Sequence, residues 1–75
     1  MQLKQAVLEA ETEVLRAIVK HPTPFHSAHE GYAVLLEEVD ELWNEVKAQT
    51  QSPEQMRKEA IHVAAMALRF LQDLL

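Results

Sequence analysis

All three prolines of this 75-residue chain fall at two places, Pro22/Pro24 and Pro53, and the stretches between them carry helical periodicity. Proline lacks a backbone donor and disfavours helix in the residue before it, so these positions cut the chain into three segments. Each later segment opens with a start signal. Ser27-Ala28-His29-Glu30 fits a capping box, and in Ser52-Pro53-Glu54-Gln55 the serine caps, proline suits the first turn and glutamine completes the box. With a single glycine in the whole chain, little else interrupts helix. The pattern predicts an all-α, three-helix chain over about 2–20, 28–49 and 53–74, forming a single domain over 1–75.

The apolar stripes set the packing expectations. In the first segment Leu3, Val7, Val14 and Ile18 recur at helical spacing, flanked by Leu8 and Leu15. Glu11 projects into that arc, either as a spare carboxylate near a site or as an edge residue reaching water. The second segment carries Ala28, Tyr32, Leu35, Val39, Leu42 and Val46. The third carries Met56, Ala60, Val63, Ala67, Phe70 and Leu74, widened by Ile61, Ala64, Leu68 and Leu71 to about half the circumference at ~100° per residue. A helix this apolar needs cover from two sides. A domain of this size rarely gains more than ~3–5 kcal/mol from its own core, and with no cysteine it has no disulfide or thiolate metal site to add. An oligomeric helical bundle is therefore expected.

Charge removes other classes. Twelve acids against seven bases give a formal charge of −5, which disfavours nucleic acid as a partner. No apolar run approaches the ~18 residues of a membrane span, and Met1-Gln2-Leu3-Lys4-Gln5-Ala6 has no uninterrupted apolar stretch for export. A soluble, cytoplasmic protein is the expectation, with no membrane partner.

Chemistry concentrates between residues 38 and 62. Glu38-x-x-Glu41 lies on the second predicted helix and Glu59-x-x-His62 on the third. Residues three apart share a helix face, so two adjacent helices can bring three carboxylates and an imidazole to one point. Glu38, Glu41 and Glu45 fall on one flank of the apolar stripe, whereas Glu37 and Asp40 point to water. Like charges at these spacings repel, and near a core the repulsion raises carboxyl pKa values unless a cation is present. Mg²⁺ or Mn²⁺ prefers carboxylate oxygen and keeps waters that leave room for phosphates. A metal site and a solvated acidic face both fit this spacing. On the third helix Arg57 and Lys58 suit either a phosphate or a surface pair with Glu54, and Arg69 either a phosphate or Asp73. His21, His26 and His29 read as loop and cap residues, and Trp43 as packing at the stripe edge, with base stacking the other use of that ring.

Three passages resemble the MazG-like, all-α nucleoside triphosphate pyrophosphohydrolases: Ser27 to Trp43, containing Glu37-Glu38-Val39-Asp40-Glu41; the segment opening at Glu59; and Val63 to Leu71. They span roughly residues 27 to 73. The family is marked by Glu-x-x-Glu on one helix and Glu-x-x-Asp on the next. Glu38 and Glu41 match the first half, Glu59 opens the second, and His62 stands where the family usually has Asp. The resemblance implies Mg²⁺-dependent hydrolysis of a (deoxy)nucleoside triphosphate to monophosphate and pyrophosphate by a homodimer or homotetramer. On that basis Glu38, Glu41 and Glu59 hold one or two Mg²⁺ ions, and Glu45 or a free ligand carboxylate orients the attacking water. Lys47, Arg57, Lys58 or Arg69 neutralises the pyrophosphate. His62 then binds Mn²⁺ or another transition metal, contacts phosphate, or marks a relative that binds nucleotide without turning it over. A non-catalytic helical oligomer, serving as an interaction or nucleotide-binding module, uses the same stripes and treats the acids as surface.

Overall fold

The computed structural model describes residues 1–75 and is all-α, with helix α1 at Leu3–Lys20, α2 at Ala28–Val46 and α3 at Pro53–Leu74. Both start signals operate. Ser27 Oγ accepts a hydrogen bond from the Glu30 backbone N–H at 3.1 Å, and Ser52 Oγ accepts one from Gln55 at 3.2 Å. Glu30 reaches back one residue further than a standard box, accepting from the His26 backbone N–H at 3.0 Å. This bond holds the Glu30 carboxyl below its ordinary value. α2 ends at Val46, three residues before the sequence expectation. The Gln51 side-chain amide donates to the Val46 carbonyl at 2.9 Å, satisfying a helix-end acceptor that another turn would have used. Beyond Val46 the run Ala48-Gln49-Thr50-Gln51 has no large apolar side chain to bury, so continued helix gains little.

α3 is the centre of the fold: α1 and α2 each pack on it and not on each other. Gly31 sets how closely α2 approaches. A Cβ there would lie 2.8 Å from Phe70 Cδ2, 3.0 Å from Leu74 Cδ1 and 3.2 Å from Phe25 Cδ2. The α1–α2 connection is held from below by Arg69, which is 4% exposed. Its Nη2 donates to the carbonyls of His21 at 2.6 Å and Thr23 at 3.0 Å, and its Nε to Asp73 Oδ2 at 3.1 Å. Asp73 Oδ2 also accepts from the Phe25 backbone N–H at 3.1 Å, and the guanidinium carbon lies 5.4 Å from the Phe25 ring centre.

The buried apolar residues are Ala10, Val14 and Ala65, and no large side chain is fully covered. This corrects the stripe expected on α1. Ala10 and Val14 face α3, while Leu3, Val7, Leu8 and Leu15 are exposed. Small residues allow a close helix approach, so the alanine-bearing side packs inward and the large residues remain outside. On α2, Tyr32, Val39 and Val46 are exposed together with Leu36 and Trp43, and Leu68 and Leu71 are exposed on α3. The accessible area is 5668 Å². A compact monomer of this mass exposes about 4,700 Å². No helix is long and apolar enough to cross a membrane.

Candidate metal centre

The i,i+3 pairs of α2 and α3 meet. Glu38, Glu41, Glu59 and His62 each offer a ligand atom, and the four atoms lie within 4.8 Å of one another. Glu38, Glu59 and His62 are half-buried, while Glu41 is exposed at the open side. His62 Nδ1 is 3.4 Å from Glu59 Oε2 and 3.6 Å from Glu38 Oε2. Those two oxygens are fully shielded from water and have no hydrogen-bond partner. Burial, then hydrogen bonding and repulsion from Glu41, push the Glu38 carboxyl above its ordinary value, against the pull of His62.

These residues fit a divalent cation. A buried carboxylate oxygen without a donor is costly, and a cation removes the penalty for both oxygens at once. Ligands on opposite sides of an ion with ~2.1 Å bonds are ~4.2 Å apart, so a small contraction of the cluster closes round one. Three carboxylates and one imidazole form a mixed set acceptable to hard and borderline cations alike.

A fifth residue of the site lies on α1. Glu13 Oε1 is 3.3 Å from His62 Nε2, so the imidazole is held between carboxylates on both sides. Glu11, for which the sequence offered either a spare carboxylate or an edge residue reaching water, is exposed, as the second reading has it. Glu13 follows from the alanine face: it stands three residues from Ala10 and four from Ala17, on the side that packs. The signal was present but masked by the larger apolar residues of the opposite arc.

Beside the cluster lies a cleft of about 590 Å³ between α1 and α2. Glu38, His62 and Glu13 form one part of its wall, and Arg16, Lys20 and Lys58 bring positive charge to it. This volume is within the range of small-molecule sites, ~300–1,000 Å³.

The other residues singled out by the sequence fall in different settings. Lys58 lines the cleft. Arg69 also borders it, but its burial and its bonds to His21, Thr23 and Asp73 make it a structural clamp, and the Asp73 pairing is one of the two uses its spacing left open. Arg57 is paired with Glu9, Nη2 to Oε2 at 2.6 Å, an interaction that lowers the Glu9 carboxyl. Lys47 caps the end of α2, with its ammonium 6.0 Å from the Trp43 ring centre, and is not part of the cleft wall. Glu45 is half-buried one turn beyond Glu41 and outside the four-ligand group.

No protein-family model, no curated protein and no solved structure matches the chain.

Proposed function

We propose that the chain hydrolyses nucleoside triphosphates to monophosphate and pyrophosphate, using a divalent cation held by Glu38, Glu41, Glu59 and His62. The observation that carries this reading is the meeting of those four ligands beside a cleft that Arg16, Lys20 and Lys58 also line. When bound, a Mg²⁺ or Mn²⁺ ion supplies charge for the phosphates and acidifies a water. Arg16, Lys20 and Lys58 are the chain's groups for the phosphate oxygens. Glu41, the exposed member of the cluster, is the best-placed carboxylate to take a proton from water, with Glu45 one turn further along the same helix as the alternative. Attack at the α-phosphorus comes from the MazG-like resemblance of residues 27–73.

The working form in this reading is a homodimer or homotetramer. The area in excess of a compact monomer is about 1,000 Å², near the ~800 Å² per partner of a stable interface. The same exposed stripes favour the second reading, a helical oligomer without catalysis.

Pyrophosphate release from a panel of NTPs and dNTPs, with Mg²⁺ and separately Mn²⁺, tests the proposal. Turnover that needs metal and disappears in Glu38→Gln supports it. No turnover with any nucleotide under either metal rejects it in favour of the non-catalytic oligomer.

A further inference from the structure

We propose that Glu13 positions His62 as a nitrogen ligand, making this cluster a site for a divalent first-row transition ion of the Mn²⁺ or Fe²⁺ kind in preference to Mg²⁺. The inference rests on the metal reading above and adds the identity of the metal class and the residue that sets it.

The two ring nitrogens of His62 face different partners. Nε2 is 3.3 Å from Glu13 Oε1 on α1. Nδ1 faces Glu38 Oε2 and Glu59 Oε2 at 3.6 and 3.4 Å, the two buried oxygens that lack any hydrogen-bond donor. With the proton on Nε2, facing Glu13, the Nδ1 lone pair joins the two carboxylates at one point. A cation between these lone pairs would relieve their mutual repulsion.

Carboxylate–imidazole–metal chains of this kind are a general feature of metal centres: the second ring nitrogen donates to a carboxylate that fixes the tautomer and orientation. Glu59-x-x-His62 is also the spacing by which carboxylate-rich helical bundles hold pairs of iron or manganese ions. Imidazole contributes little to Mg²⁺, which prefers an all-oxygen shell, and much more to transition ions. Glu13, whose Oε1 also lies 3.5 Å from Arg16 Nη1, comes from a different helix from every ligand, so it can be altered without removing a metal-binding atom.

The test combines calorimetric titration of the metal-free protein with Mn²⁺ and with Mg²⁺, and pulsed EPR of the Mn²⁺ form. Wild-type protein is expected to show electron-spin-echo modulation from a directly bound ¹⁴N, absent in His62→Gln. Glu13→Ala should weaken Mn²⁺ about 10–100-fold while leaving Mg²⁺ within a few-fold. Glu13→Gln, which keeps an acceptor for Nε2–H, should recover much of the loss. The EPR result on wild-type protein needs no variant to fold. Mn²⁺ binding without nitrogen modulation, or equal losses for both ions in Glu13→Ala, overturns this inference and leaves the metal site standing. Absence of binding by either ion overturns both.

Discussion

Helix α3 carries two charged clusters, and they differ in one respect. Around Arg69 the donors and acceptors are matched: the guanidinium meets two loop carbonyls and Asp73, and Asp73 meets the Phe25 N–H. Around His62 they are not: three acids from α2 and α3 and a fourth from α1 surround one imidazole, and two buried oxygens lack donors. A closed network needs nothing further and acts as structure. An open one, with more carboxylates than its imidazole and Arg16 can match, favours an outside cation, and it lies beside a cleft. Two polar clusters on one helix can therefore be assigned different roles from hydrogen-bond bookkeeping alone.

The contrast is sharpest in its response to mutation. Arg69→Met should give the largest loss, about 3 kcal/mol, because it leaves Asp73 and two carbonyls without their partner. Chemical denaturation of the metal-free protein measures it, and a loss below ~1 kcal/mol would break the distinction between the clusters. Glu38→Gln should behave oppositely. It relieves like-charge repulsion and should stabilise the metal-free protein by a few tenths of a kcal/mol. It should also abolish the ~2.7 kcal/mol that a native-state ligand adds at 100 times its Kd. Melting curves with and without Mn²⁺ read both effects, and destabilisation of the metal-free form would show that Glu38 is needed for structure.

Gly31→Ala lies between the two clusters in its consequences. Alanine gains ~1 kcal/mol of helix propensity, but its Cβ would overlap Phe70 and crowd Leu74 and Phe25. Overpacking of this kind costs ~1–3 kcal/mol, so a net loss of about 1 kcal/mol is expected, with weaker metal binding as α2 moves off α3. Unchanged stability and affinity would show that the interface yields freely.

The smallest effect concerns pH. Glu30 is held below its ordinary 4.5 by the His26 N–H, so its contribution is present above 4.5 and is lost as pH falls through the lower folded value. Glu38 is raised, chiefly by burial, so in metal-free protein its contribution is present below 4.5 and is lost as pH rises through the higher folded value. Subtracting the melting profile of Glu30→Gln from that of the wild type isolates the first effect. A difference that does not shrink on acidification below 4.5 would remove the cap from the explanation of α2.

Much of this was readable from sequence because it is local. Helix starts follow from Ser27 and Ser52, and the ligand pairs from i,i+3 spacing, which holds wherever the helices pack. What escaped depends on tertiary contact. Glu13 meets His62 only because α1 turns its alanine side inward, and apolar periodicity weights large residues over small ones. The Asp73 pairing of Arg69 follows from i,i+4 spacing, but its bonds to carbonyls of a loop 46–48 residues away are invisible to side-chain spacing. The end of α2 shifted because a single glutamine side chain replaced a helical turn.

The most direct measurement is the calorimetric titration of Mn²⁺ into metal-free wild-type protein and Glu59→Gln, with helix content checked by circular dichroism. A saturable site of fixed stoichiometry per chain, lost or strongly weakened in the variant while its helices persist, is the expected result. Heats that do not saturate, or that are the same for both proteins, would show that the four residues form an acidic surface and no metal centre.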